Sequence, residues 1–408
     1  KIHRADLEGC SGYSLVRGAD IIDGPIAFPK RPLTTDTNVN LFVVADLDIS
    51  PDSMTMIREI ERMDLNKVDL FMHVGDFAYE IENLNGTVGD EFFNQMSKTA
   101  KKVPYIISPG NHEWYAKGHL LNYRFKMPGT DLNETRANHF FDIVYKGIYF
   151  MIVNFDYLYN LHLDEYPKYK EEMYYWMVER INLLNKRADV KWRVIVTHRP
   201  FSCSDHKALD CNLNHYTLRV FEDLLVKHGF QFALEGHLHI YARHKPMSGF
   251  NTYPLSKVGA GAILPIVNGH CGVKHYFVPQ AEFVTLFSPF VDKLDISGPT
   301  YLDLDFNDER FQGKLVRSDN GEIRDTFYIE LKNINGGTFS QIWTFRVAVL
   351  FIVVSVAAAL VGYLWTGPGR EMIKKTRNDH GLILDGLHGS HQYGKPGDDT
   401  LAPAEYKL

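Results

Sequence analysis

Five short β-branched runs, each ending in polar side chains able to bind metal, constrain this chain more than any other feature. Leu41 to Ala45 ends at Asp46, Leu70 to Val74 at GDFAY (75–79), and Tyr105 to Ser108 at GNHE (110–113). Val194 to Thr197 ends at His198, and Phe230 to Leu234 leads into GHLH (236–239). Amphipathic stretches lie between the runs. Ser50-Pro51-Asp52 starts a helix that continues to Met63, and the spacing predicts further helices over about Val88–Lys101, Pro167–Arg187 and His215–His228. Tyr149 to Asn154 adds another strand. Such alternation predicts an α/β fold with a largely buried, mostly parallel sheet and helices on its faces. Beyond Ile240 short strands and turns take over, including Tyr301–Phe306, Phe311–Val316 and Thr326–Leu331. They read as an antiparallel second sheet that closes a sandwich. Residues 1–39 lack periodicity and read as an extended lead-in to a domain spanning 40–335.

In an α/β sheet the ends of parallel strands share one edge, and ligands bind there. Asp46, Asp76, Tyr79, Asn111, His198, His237 and His239 therefore converge on this reading. They offer hard oxygen donors and borderline nitrogen donors but no thiolate, which suits Fe(III), Zn(II), Fe(II) or Mn(II). The set is too large for one ion, and two metals sharing a carboxylate satisfy it. Any single piece is ordinarily a turn, a cap or a hydrogen-bonded histidine. Five such pieces after five strands are not.

A second constraint lies near the C-terminus. Residues 347–365 (VAVLFIVVSVAAALVGYLW) carry no charge, and a helix of that length nearly crosses a hydrocarbon core of about 30 Å. Trp343 and Trp365 bracket the run, and Arg370, Lys374, Lys375 and Arg377 follow it. The expectation is one transmembrane helix over 343–366, with the domain lumenal or extracellular and the tail, 367–408, cytosolic and disordered. The chain starts at Lys1 without an apolar signal core, as if a signal peptide had been removed. Sequons at Asn85 and Asn133 suit that secretory, single-pass type I topology as glycosylation sites. In an oxidising compartment the four cysteines can pair in three ways. Cys203 with Cys211 closes the shortest loop and leaves Cys10 for Cys271.

Composition narrows the partners. Lys plus Arg number 44 against 50 Asp plus Glu, a net charge of −6, so no basic field marks a nucleic-acid surface. At 45% hydrophobic residues the chain can bury a conventional core, which excludes wholesale disorder.

The five blocks resemble those of the metallophosphoesterases and, within them, the purple acid phosphatases: D-x-G, G-D-x-x-Y, G-N-H-E/D, V-x-x-H and G-H-x-H. Here they stand as Asp46-Leu47-Asp48, GDFAY, GNHE, Ile195-Val196-Thr197-His198 and GHLH. His198-Arg199-Pro200 leading to Cys203 is similar to a further family segment, and the resemblance covers roughly 40–332. With few residues ahead of the first strand, the chain looks like the short, animal-type members. The resemblance implies a four-layer α/β/β/α sandwich and an acid phosphatase that hydrolyses phosphomonoesters, small-molecule or phosphoprotein, using a metal-bound hydroxide. It implies Asp46, Tyr79 and His239 on an Fe(III), Asn111, His198 and His237 on a Zn(II), Fe(II) or Mn(II), and Asp76 between them. His112 would contact the phosphate, and His206 would protonate the leaving group. One departure is Asp48, which stands where the family has glycine. Two residues past Asp46 along a strand, its carboxylate either shares that residue's face and reaches the first metal, crowds the iron–phenolate side, or turns away and caps the strand end. A phosphodiesterase using the same metals, or a non-catalytic membrane glycoprotein retaining the fold, are the alternatives.

Overall fold

The parallel strands do not form one sheet. They divide between two, and the division explains where the polar strand ends go. The computed structural model describes residues 12–17, 20–27, 38–113, 119–128, 138–156, 158, 166–201, 209–249, 251–272 and 290–331. The chain opens on a hairpin, β1 (Gly12–Arg17) and β2 (Asp20–Ala27), within what the sequence suggests is an extended lead-in. Next come β3 (Val39–Val44), α1 (Met54–Arg62), β4 (Leu70–Val74), α2 (Thr87–Ala100), β5 (Tyr105–Ser108) and α3 (His119–Arg124). A second hairpin, β6 (Phe140–Tyr145) and β7 (Ile148–Val153), is followed by α4 (Tyr166–Leu184), β8 (Trp192–Val196), α5 (Leu209–Lys227) and β9 (Phe232–Glu235). The remaining strands are β10 (Tyr241–His244), β11 (Met247–Ser248), β12 (Asn251–Thr252), β13 (Leu264–Asn268), β14 (Val291–Asp295), β15 (Thr300–Phe306), β16 (Arg310–Arg317) and β17 (Ile323–Glu330).

A six-stranded sheet runs β17-β16-β15-β3-β4-β5 and a seven-stranded sheet β14-β10-β13-β9-β8-β7-β6. Strands β3, β4 and β5 are mutually parallel, and β15 adds antiparallel to β3 with Leu302 opposite Val43. In the other sheet β7, β8, β9 and β13 are parallel. The switch between sheets falls between β5 and β6, each of which is the edge of its own sheet. The β6–β7 turn is Lys146-Gly147, with φ of 43° and 81°, the left-handed pair that a tight two-residue hairpin requires.

Period-two alternation on β7 shows the layering. Ile148, Phe150 and Ile152 enter the large core, which also holds Phe232, Leu234, Leu304, Phe306 and Phe311 from both sheets. Tyr149, Met151 and Val153 point the other way, into a cluster with Met173, Met177 and Ile181 of α4 and Phe221 and Leu225 of α5. Phe232 and Phe311 meet across the sheets with ring centroids 4.1 Å apart. Met56, Ile57 and Ile60 of α1 and Phe92 and Met96 of α2 join the large core. The result is a mixed α/β fold with two sheets, both of which send their parallel strands' C-terminal ends to the same region. There His198, after β8, shares a hydrogen bond of 2.8 Å with the Val74 carbonyl at the end of β4.

Two expectations about covalent structure meet the coordinates differently. Cys271 is a free, buried thiol, which corrects its assignment to a disulfide with Cys10. Its Sγ accepts the Ala45 amide at 3.2 Å and so helps fix the turn into Asp46. Cys10, Cys203 and the side chain of Cys211 lie outside the described residues, as do Asn133, His206 and the whole of 343–408. Asn85 is exposed, beside the kinked turn before α2. Among the described residues no helix is long and apolar enough to cross a membrane.

Glu222 of α5 gives the fold a pH dependence. It is 4% exposed and accepts the Gly249 amide at 2.9 Å. Burial, with Asp223 adding to it, pushes its carboxyl from an ordinary 4.5 up to about 7. The native state thus keeps a proton that the unfolded chain has lost, so this contribution to stability is complete below about pH 4.5 and is lost as pH rises through about 7. The melting temperature should fall across that window, and Glu222→Gln should flatten the fall. An unchanged slope in the variant would assign it to other groups.

Candidate metal centre

Four of the site residues, Asp46, Asp76, Tyr79 and His237, have φ of 53°, 52°, 38° and 69°. Left-handed backbone disfavours L-residues by roughly 1–2 kcal/mol each, and non-glycine residues hold it only where their surroundings over-determine them. Here each strand stops and its next side chain turns back over the sheet edge. The loops interlock through backbone hydrogen bonds from Asp46 to the Gly75 carbonyl (3.0 Å) and from Gly236 to the His198 carbonyl (3.0 Å). Close approach also demands glycine: a Cβ on Gly110 would collide with Asp76 Oδ1, and one on Gly75 with the His198 ring.

All seven candidate ligands predicted from the sequence meet in this region. Tyr79 Oη lies 3.1 Å from Asp46 Oδ1 and 3.0 Å from His239 Nε2, and His239 Nε2 lies 3.4 Å from Asp46 Oδ1. On the other side Asp76, His198 and His237 bring ligand atoms within 4.8 Å of one another. Asn111 Oδ1 stands 2.9 Å from His237 Nδ1. His198 Nε2 lies between the two groups, 3.0 Å from Asp76 Oδ2 and 4.0 Å from Asp46 Oδ1.

The donor set fits a pair of cations. A carbonyl can only accept, so His198 Nδ1 carries the proton given to Val74 and Nε2 presents its lone pair. That buried Nε2 makes no hydrogen bond although a carboxylate oxygen is 3.0 Å away, the arrangement of two donors converging on a third atom. Burial works against charge on His198, but Asp76 and then Asp46 outweigh it and hold its pKa well above the ordinary value. Burial opposes ionisation of Asp76 too, and there His198 prevails and drives the carboxyl strongly down. For Tyr79, burial and then the Asp46 and Asp76 carboxylates push the phenol well above 10, so a phenolate there needs the charge of a cation beside it.

His112 stands beside this cluster. Its backbone amide donates to Asp76 Oδ1 (2.9 Å), its Nδ1 is 3.1 Å from Glu80 Oε1, and its Nε2 is 3.8 Å from Asp76 Oδ2. The ring packs on Tyr79 at 4.3 Å between centroids, and its side chain is 30% exposed.

Of the readings the sequence leaves open for Asp48, the contacts fit the capping one. Its Oδ1 accepts the Ser50 amide (3.0 Å) and the hydroxyls of Ser50 (2.7 Å) and Ser53, so this oxygen pins the turn before α1. Strand β3 ends at Val44, and the left-handed turn at Asp46 breaks the alternation that would have put positions 46 and 48 on one face. Asp48→Gly should therefore lower stability by about 1–2 kcal/mol and leave metal content unchanged. Thermal melts and metal analysis check both, and altered metal content would restore the direct role.

Sequence reasoning gave no role to Glu113 or Asp156. Glu113, 1% exposed, accepts the amides of Asp76 (2.8 Å) and Gly110 (2.7 Å) on Oε2 and that of Phe77 (2.9 Å) on Oε1. One carboxylate thus ties together the two loops that carry Asp76, Tyr79 and Asn111. Its place in GNHE was the available signal. Asp156, after β7, pairs with Arg199 at 2.5 Å, and no local sequence pattern announces it.

Residues 39–241 match the family model of the calcineurin-like phosphoesterases. This segment is a calcineurin-like phosphoesterase domain. Among curated relatives, "Acid phosphatase type 7" of Danio rerio is 25% identical over 299 residues, covering 65% of this chain and 64% of that protein. The protein of that name from Homo sapiens is 29% identical, with 53% and 50% covered. "Probable inactive purple acid phosphatase 9" of Arabidopsis thaliana is 24% identical, with 88% and 61% covered. The chain therefore spans between 50% and 64% of the length of these relatives. The solved purple acid phosphatase PPD1 of yellow lupin shares the fold at a TM-score of 0.58 and 16% identity, with 77% of this chain and 57% of that one covered. Over these residues the chain is similar to acid phosphatases and purple acid phosphatases at modest identity.

Proposed function

We propose that this protein is an acid phosphatase that hydrolyses phosphomonoesters at a dinuclear centre. The observation that carries the reading is the convergence of seven donor side chains from five loops into two groups that meet at Asp46, Asp76 and His198. Asp46, Tyr79 and His239 would hold one ion, Asn111, His198 and His237 the other, and Asp76 both. Tyr79 favours Fe(III) on the first side, and the amide and imidazoles favour a divalent ion such as Zn(II), Fe(II) or Mn(II) on the second. When bound, the ions acidify water at moderate pH and offset the charge that develops at phosphorus.

The chain's own groups do the rest. Glu80 accepts from His112 Nδ1 and so turns Nε2 toward the cluster, where it can donate to a phosphoryl oxygen. Partial exposure lets His112 reach a substrate that the deeper ligands cannot touch from outside. His206 is proposed to protonate the leaving oxygen. The expected result is hydrolysis of an aryl phosphate by the metal-loaded protein, loss of activity after chelation, and much weaker action on a bis-aryl phosphate. Absence of turnover in protein carrying two ions would favour the non-catalytic reading, consistent with relatives named "Probable inactive".

The residence of the domain outside the cytosol, on a single-pass anchor at 343–366, belongs to the same proposal. The uncharged run and the basic residues after it support this part. Glycosidase should lower the mass of protein from a secretory host if Asn85 or Asn133 is modified. Protease added outside intact vesicles should leave the domain untouched and remove the tail after Arg370, and the reverse pattern would overturn the topology.

A further inference from the structure

The two histidines of the second metal group, His198 buried and His237 partly exposed, have opposite surroundings. His198 follows the usual pattern of a metal-binding imidazole: its outer nitrogen donates to the Val74 carbonyl and its inner nitrogen faces the cluster. His237 does not. Its Nδ1 faces Asn111 Oδ1 at 2.9 Å, on the cluster side, but its outer Nε2 lies 3.2 Å from Nη1 of Arg199. A guanidinium has donors only, so Nε2 must accept, and a neutral ring then carries its proton on Nδ1, pointed at Asn111. With that proton in place Nδ1 has no lone pair for a cation. Moving it to Nε2 frees Nδ1 but sets two donors against each other at Arg199. Arg199 is held where it is by a second buried charge: its Nε is 2.5 Å from Asp156 Oδ1, with the two side chains 8% and 0% exposed.

We propose that Arg199, tethered by Asp156, is an internal competitor for the second metal position, so that the second ion binds only when the guanidinium gives up His237. This inference rests on the dinuclear reading above. It makes the second ion the weaker of the two and its occupancy dependent on the supply of divalent metal. Arg199 is on this account a positioning residue that acts through His237.

The test is titration of the full, chelator-stripped chain with Zn(II) alone, with bound metal read by equilibrium dialysis. The unmutated protein should take one ion tightly and a second more weakly. The double variant Arg199→Met/Asp156→Asn, which removes both charges of the pair together, should bind the second ion about 10-fold more tightly and the first unchanged. Tightening in Arg199→Met alone, absent from the double variant, would reduce the effect to simple charge and overturn the inference. So would an unchanged second constant, although two bound ions would leave the dinuclear reading standing. Failure of every variant to take a second ion would remove both. Ring nitrogen-15 shifts of the unmutated chain give a check that needs no altered fold, with the His237 signal assigned by its loss in His237→Gln. The stripped protein should show His237 protonated on Nδ1, and two equivalents of Zn(II) should move the proton to Nε2. A ring protonated on Nε2 before metal is added would overturn the proposal.

Discussion

Asp76→Asn is expected to leave a folded protein that has lost a metal ion and at least about 100-fold in phosphatase activity. The floor follows from the 10- to 100-fold losses in metal affinity or activity that accompany removal of a mere outer partner of a ligand. A residue shared by both ions must exceed it. The fold should survive for a specific reason. Asparagine has the same size, and its carbonyl can still accept the His112 amide that Asp76 Oδ1 accepts at 2.9 Å. What disappears is the charge that Oδ2 sets 3.0 Å from His198 Nε2. Asp76 is the first of the charges that hold His198 above its ordinary pKa, so the imidazole should titrate lower in the variant. The melting temperature should fall, because one partner of a buried ion pair has been removed while the other stays. Metal analysis, aryl phosphate hydrolysis and thermal melts measure the three effects. A variant that keeps both ions and full activity would sink the shared-ligand role.

The donor residues were legible in the sequence because each sits at the end of a strand whose apolar run is easy to see. The arrangement of the strands was harder. A β-branched run such as Leu41 to Val44 reads the same whether its neighbours come from 70–74 or from 300–306, and in the fold it has one on each side. Pairing of β3 with β15 is a long-range choice that local periodicity does not encode, which is why a mostly parallel sheet closed by a separate antiparallel one was expected, whereas each of the two sheets found mixes both kinds of strand. The Lys146-Gly147 turn carries a hairpin signal, and its second strand was read as one, but its first was hidden by Asp142, a polar residue inside β6 that Arg180 of α4 neutralises at 2.9 Å. At the site itself the reading of Asp48 as a ligand came from extending strand alternation past Val44. The left-handed φ at Asp46, the feature that aims this side chain into the cluster, is also what ends the period. Cys271 misled for a related reason: a cysteine count does not reveal that a thiol is buried against the Ala45 amide.

Glu113 is where the largest loss of stability is expected. Its carboxyl group accepts the amides of Asp76, Phe77 and Gly110 together. Alanine at 113 would strand all three around a position that is only 1% exposed. Each stranded donor costs roughly 1–3 kcal/mol, so Glu113→Ala should lose about 3–5 kcal/mol, the scale reached when a buried network is broken. Against that stands the gain from removing a carboxyl whose ionisation is opposed first by burial and then by Asp76. The gain is smaller, because the group can hold a proton instead. Glu113→Gln separates support of the fold from support of the site. Its one carbonyl can take over the two bonds of Oε2, to Asp76 and Gly110, but its amide then meets the Phe77 amide donor to donor. The loop from Gly75 to Tyr79 should shift there while the sheets remain. The predicted signature is a modest loss in melting temperature with a 10- to 100-fold loss in metal affinity, larger than the stability change alone would cause. Denaturant unfolding of the stripped protein, beside metal titration of the same variant, distinguishes the cases. If Glu113→Gln binds metal as the unmutated chain does, the carboxylate holds only the fold, and the left-handed turns at Asp76 and Tyr79 are kept by other contacts.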